Sequence, residues 1–72
     1  MKATINYKGV NYENVELGSI KQSIVSFRVY TNEPTYYKDL EQLVYDGADV
    51  DFYKEYAFII VPRENVISII YL

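Results

Sequence analysis

The sequence predicts an α+β domain: a small antiparallel, curled sheet of about five strands with one helix packed on it, in the order β-β-β-α-β-β. Three observations lead there. Apolar and polar residues alternate with period two in several stretches, the mark of strands with one buried face. A single stretch, Pro34 to Tyr45, carries apolar residues at helical spacing. Gly, Pro and Asn fall between these stretches, where turns are needed.

Ala3-Thr4-Ile5-Asn6-Tyr7 alternates, Lys8-Gly9 follows, and Val10-Asn11-Tyr12 resumes the alternation toward Val15 and Leu17. Gly supplies the positive φ of a tight turn, so this segment reads as a hairpin. Gly18-Ser19 is expected to break it. Ser23 to Tyr30 is the cleanest strand, with Val25, Phe27 and Val29 on one face and Ile24, Ser26, Arg28 and Tyr30 on the other.

Thr31-Asn32-Glu33-Pro34 ends that strand. Thr31 or Asn32 is suited to cap a helix whose first turn tolerates Pro. In Pro34–Tyr45 the residues Tyr36, Leu40, Leu43 and Val44 share a stripe, and Asp46-Gly47 provides the stop. Asp46 opposes the helix dipole, so a short helix with a frayed end is expected. Asp49-Val50-Asp51-Phe52 reads as a loop or an edge strand. Tyr56–Val61 and Val66–Leu72 are β-prone and flank Pro62-Arg63-Glu64-Asn65, which reads as the turn of a second hairpin. Both of these strands are apolar on both faces, as strands are that lie centrally in a sheet, inside a barrel, or under a helix or a partner chain.

The closing stretch from Tyr56 to Tyr71 resembles the last hairpin of Sm-like and SH3-like small barrels. The resemblance covers under a quarter of the chain and implies a sheet closed by these two strands. The RNA-contacting motifs of Sm-like proteins are not recognisable, and the helix stands mid-chain instead of first, so no family residue is carried across. In size, acidity and Tyr content the chain is also similar to small phage or mobile-element inhibitors such as anti-CRISPR proteins, an analogy of composition.

Composition bounds the chemistry. The 72 residues, with a formal net charge of −3, form one domain spanning residues 1–72. The chain has no Cys and no His. Disulfides, thiolate zinc sites and Cys nucleophiles are therefore excluded, and the commonest general base and transition-metal ligand is absent. Ser19, Ser23, Ser26 and Ser68 have no His partner and no nucleophile elbow, and Gly9, Gly18 and Gly47 make no phosphate-binding loop. Asp46, Asp49 and Asp51 do not follow the EF-hand spacing, since Gly47 stands second from Asp46 and Ala57 twelfth. The expectation is a non-enzyme with no cofactor and no metal. Lys2 followed by a polar alternating stretch shows no signal peptide, and the longest apolar run, Ala57–Val61, is far too short to span a bilayer. A cytoplasmic protein without membrane contact is expected.

Charge is distributed unevenly. Between Glu33 and Glu55 stand Glu33, Asp39, Glu41, Asp46, Asp49, Asp51 and Glu55 against Lys38 and Lys54, a local net of −5, while the remainder carries +2. Tyr36, Tyr37, Tyr45, Tyr53 and Tyr56 lie within or next to that stretch. Acids interleaved with aromatics suit a basic protein partner and disfavour direct nucleic-acid binding, which needs Lys and Arg for phosphate.

The candidate partner-binding residues are therefore Tyr37, Glu41, Tyr45, Asp46, Asp49, Asp51, Tyr53 and Glu55. The expected function is a small acidic inhibitor, a DNA mimic of phage type that blocks the nucleic-acid-binding surface of its partner. The alternatives are a structural or self-assembling protein that dimerises through the ungated C-terminal strand Val66–Leu72, or an Sm-like RNA binder using Tyr7, Tyr12, Tyr30 and Arg28.

Overall fold

The computed structural model describes all 72 residues and has the predicted α+β class. Six strands, β1 (Lys2–Tyr7), β2 (Val10–Ile20), β3 (Ile24–Tyr30), β4 (Asp49–Phe52), β5 (Tyr56–Pro62) and β6 (Val66–Tyr71), form one antiparallel sheet in the order β4-β5-β3-β2-β1-β6. The helix α1 (Tyr36–Tyr45) lies between β3 and β4 in the chain. The sheet does not curl shut, because its edges β4 and β6 do not pair with each other. Of the two readings of Asp49–Phe52 the edge strand is the one that forms, paired with β5 from Asp49–Ile60 to Phe52–Ala57, and it brings the strands from about five to six.

The N-terminal hairpin forms as read. Lys8 and Gly9 both take positive φ, 52° and 87°, the signature of a type I′ turn, and Asn6 Oδ1 accepts from the Gly9 amide at 2.9 Å. The expected break at Gly18-Ser19 does not occur, because β2 continues to Ile20 through a bulge. There Gly18 and Ser19 oppose Ser26 between the pairs Leu17–Phe27 and Ile20–Val25. A Cβ at Gly18 would stand 2.7 Å from Ser26 Oγ, so glycine serves close strand approach here, not chain reversal. Ser26 Oγ, buried, accepts from the Ser19 amide at 2.9 Å. A second bulge sets Glu13 and Asn14 against Thr4, with Asn14 at φ 56°. It allows Tyr12 and Val15, three residues apart, to face the core together.

The second hairpin is not formed. β5 pairs with β3 and β4, and β6 pairs with β1, on the far side of β3 and β2. A 3-10 turn, Arg63–Asn65, joins strands four ladder steps apart. Those steps measure about 19 Å at ~4.8 Å each, and the chain from Pro62 to Val66 reaches at most about 14 Å. The sheet therefore does not lie flat between these strands, and the turn bridges it: the Arg63 amide donates to Ser23 O, before β3, and Asn65 O accepts from the Lys8 amide, after β1, both at 2.9 Å. The likeness to a barrel-closing hairpin consequently fails: local β propensity was read correctly, but the pairing partners are remote.

One face of the sheet meets the helix. Ile5, Tyr7, Tyr12, Val15, Val25, Phe27, Val29, Ala57, Ile59 and Val61 are buried there with Tyr36, Leu40 and Leu43 of α1. The helix begins at Tyr36, not Pro34, with Thr35 instead of Thr31 or Asn32 at the N-cap, because the Tyr36 amide is held in a turn by Glu33 O at 3.1 Å. Its C-terminus is closed where fraying was expected. Gly47, at φ 81°, donates to Val44 O at 3.1 Å, and the Ala48 amide donates to Leu43 O at 2.9 Å, the paired bonds of a Schellman motif. Val44, expected on the buried stripe, is 55% exposed.

Candidate functional site

Sequence proximity put the eight candidate residues on one patch, and the fold distributes them over several. Tyr37 and Glu41 lie on the exposed side of α1 next to Val44. Across from them stand Phe52, at the end of β4, and Tyr53 and Lys54 in the turn to β5. Together with Tyr36, Leu40 and Thr31 they line an open groove of about 540 Å³ between the helix and β4. Three of the candidates, Tyr37, Glu41 and Tyr53, thus share one concavity. Phe52, Val44 and Lys54 were missed. Val44 fits the buried helical stripe by spacing alone, and Phe52 ends a segment whose sequence suits a loop as well as an edge strand.

Asp49 and Asp51 are exposed but point to the other face of the sheet, the one the helix leaves uncovered. Cross-strand partners share a face, and these two oppose Ile60 and Phe58, which alternate with the buried Ile59 and Ala57. Two residues of strand separate them by about 6.8 Å. Duplex DNA carries a charge every 3.4 Å along each strand, so the pair has half that linear density.

Beside them, Tyr53 stacks on Tyr56 at 5.0 Å, Tyr56 meets Tyr30 at 5.8 Å, Arg28 stands over the Tyr56 ring at 4.7 Å and Lys2 over Tyr30 at 5.2 Å. Tyr53 therefore occupies the corner between groove and outer face. Glu55 is exposed in the same turn, and its carbonyl accepts from the Thr31 amide at 3.0 Å and the Thr31 hydroxyl at 3.2 Å.

Asp46 and Tyr45 stand apart. Tyr45 is 85% exposed on the helix beside Lys38, Glu41 and Gln42. Asp46 turns toward the β1–β2 turn. Its carboxylate accepts from Gln42 Nε2 at 2.8 Å, and its carbonyl accepts from Tyr7 Oη at 2.7 Å and Lys8 Nζ at 3.0 Å. Asp46 is thus a structural tie between helix and sheet. No three Asp, Glu, His or Cys side chains converge as metal ligands do. The tyrosines read as a base-stacking set are not assembled either. Tyr7 and Tyr12 are buried under the helix, and only Tyr30 and Arg28 lie on the open face.

The two buried phenols differ in one respect. Tyr7 Oη has its acceptor at Asp46 O, whereas Tyr12 Oη is buried without a partner. Burial pushes the Tyr12 phenol up to about 12, aided by the negative charges of Asp46 and Asp39. Tyr12→Phe removes only an unsatisfied group and is expected to be neutral or to stabilise by up to about 1 kcal/mol. Tyr7→Phe removes a hydrogen bond to the Asp46 carbonyl, which keeps only the Lys8 Nζ donor, and is expected to cost about 1 kcal/mol. Urea midpoints of the two variants measure the contrast, and equal shifts would contradict it.

Burial also holds the Asp39 carboxyl above the usual aspartate range, against the opposing hydrogen bond from Thr35 Oγ1 at 2.8 Å. A folded-state pKa above the unfolded one means that this group favours folding at low pH and that its contribution is lost as pH rises through the folded value. Asp39→Asn is accordingly expected to melt above the parent at neutral pH. The difference should shrink as pH falls through the raised folded-state value and be gone below the ordinary aspartate pKa, a trend that paired thermal melts across pH would reveal.

The one helix, ten residues long, is not long and apolar enough to cross a membrane. No known protein family, curated protein or solved structure matches the chain.

Proposed function

We propose that this chain is a non-enzymatic protein-binding module that engages a basic surface of a partner through the α1–β4 groove and the acids around it. The observation that carries this reading is the groove itself. Tyr37, Val44, Phe52 and Tyr53, each more than half exposed, converge on it, and Glu41 lies at its margin. Asp49, Asp51 and Glu55 lie on the adjoining strand and turn. Exposed aromatics supply affinity where they are buried by a partner, and surrounding acids steer a basic surface into contact at a rate that falls with salt. Where the partner uses that surface for nucleic acid, occupation competes with it. This is the inhibitory mode expected of a small acidic protein of phage type.

The test is capture of partners on the immobilised chain from lysate of the source cell, at low and high salt, beside a Glu41→Gln/Asp49→Asn/Asp51→Asn variant. A nucleic-acid-binding protein held at low salt, released at high salt and missed by the variant is the expected result. Retention by the variant with unchanged salt dependence would overturn the reading.

A second reading, self-association, is favoured by the contrast between the two sheet edges. Natural edge strands carry charges or prolines that discourage pairing. β4 carries Asp49 and Asp51, but β6 has no charged residue, and Ile67, Ile70 and Tyr71 are more than half exposed. Antiparallel pairing of β6 with its counterpart in a second copy forms a two-fold interface. Sedimentation equilibrium is expected to show a dimer that Ile70→Lys abolishes. A monomer across the whole concentration range would eliminate this reading.

A further inference from the structure

The acids on the outer face and the apolar groove on the inner face flank a single element, the free edge of β4. Resting on the reading of a basic partner, we propose that the partner inserts an extended segment along this edge as a seventh strand, alternating basic and apolar side chains.

The backbone argument comes first. β4 pairs only with β5. The Tyr53 amide donates to Tyr56 O at 2.9 Å and closes the hairpin. Hydrogen-bonded pairs alternate along an antiparallel ladder. Counting back from Tyr53, Asp51 and Asp49 direct their amides and carbonyls at β5. Val50 and Phe52 direct theirs outward, toward the open edge. Such an edge is a template for strand addition.

The side chains specify what is added. Successive residues of a strand face opposite sides of the sheet. At the β4 edge one side presents Asp49 and Asp51, and the other presents Val50, packed against the core, and Phe52, which lines the groove with Tyr37 and Val44. A segment in register places every second side chain next to the carboxylates and the others in the groove. Cross-strand neighbours of opposite charge stabilise the pairing, and like charges oppose it. Lys54 at the groove end disfavours a basic residue there. The edge therefore selects a pattern of charge as well as its sign, and a uniformly basic segment would waste the groove.

The experiment uses the full chain, labelled with 15N, and two acetylated heptapeptides of equal composition. One alternates lysine and valine, and the other groups its lysines together. The alternating peptide is expected to bind about tenfold more tightly, from two or more correctly placed cross-strand pairs. On its addition the Val50 and Phe52 amides should exchange more slowly, while those of Asp49 and Asp51, already paired, stay unchanged. Phe52→Pro removes one outward donor without touching the β5 ladder, and it should weaken binding about fivefold beyond Phe52→Ala, the worth of one hydrogen bond. If both peptides bind alike and no amide gains protection, strand addition is wrong while the acidic-groove reading stands. If neither binds, both are wrong. The exchange measurement on the unsubstituted chain decides the matter even if Phe52→Pro fails to fold.

Discussion

Phe27→Ala is expected to remove about a quarter or more of the stability of this protein. Phe27 is fully buried on β3, opposite Leu17 on one neighbouring strand and Ile59 on the other. β3 is paired along both edges, so a cavity there cannot collapse by shifting a free strand. Truncating a buried phenylalanine costs about 3–5 kcal/mol, the lost transfer energy plus the cavity left behind. A domain of this length has a total of about 4–11 kcal/mol at 0.05–0.15 kcal/mol per residue. No disulfide exists to offset the loss. Urea unfolding should show a greatly lowered midpoint with an unchanged slope. Tyr45→Ala, at an 85% exposed position, provides the comparison and should stay within about 0.5 kcal/mol of the parent. A Phe27→Ala loss below about 1 kcal/mol would mean that the core repacks around the gap, contrary to the pairing described.

The second large effect separates binding from stability. Phe52 and Tyr53 are 66% and 54% exposed and line the groove, so the fold gains little from their side chains. Phe52→Ala and Tyr53→Ala should each leave the urea midpoint within about 0.5 kcal/mol. Binding to the captured partner should nevertheless weaken by about 2 kcal/mol per side chain, roughly thirtyfold, if these rings are the desolvated anchors of the interface. Calorimetric titration of each variant gives the value. Tyr53 also stacks on Tyr56, so its loss is expected to disturb the outer face slightly, while that of Phe52 is not. Unchanged affinity in both variants would move the interface away from the groove.

Local pattern carried the architecture a long way. The order of strands and helix followed from alternation and from one helical stripe. The inward set Val25, Phe27 and Val29, the Lys8-Gly9 turn and the stop at Gly47 followed from period and backbone chemistry that act within a few residues. Exposed positions for Tyr37, Tyr45 and Tyr53, and a core position for Tyr36, were legible for the same reason.

Where sequence reasoning failed, the deciding contact was long-range. Gly18 looked like a breaker because its reason for being glycine, Ser26 Oγ, lies on the neighbouring strand. β5 and β6 looked like a hairpin because a four-residue turn separates two apolar runs, and nothing in those runs tells which strand each will meet. Val44 fits the helical stripe, yet no strand lies beneath it to cover it, so it opens onto the groove.

The acidic stretch shows the division most plainly. Its charge and its tyrosines are properties of the sequence alone. Its shape is not. Alternation along β4 turns Asp49 and Asp51 away from Val50 and Phe52, hydrogen bonds from Tyr7 and Lys8 tie Asp46 to the hairpin, and helix placement brings Tyr37 to Phe52 across fifteen residues of chain. Side-chain period and turn chemistry are written locally and can be read from one strand of text. Which faces meet is settled by the packing of remote segments, because only burial against a partner surface decides among the pairings that local propensity allows.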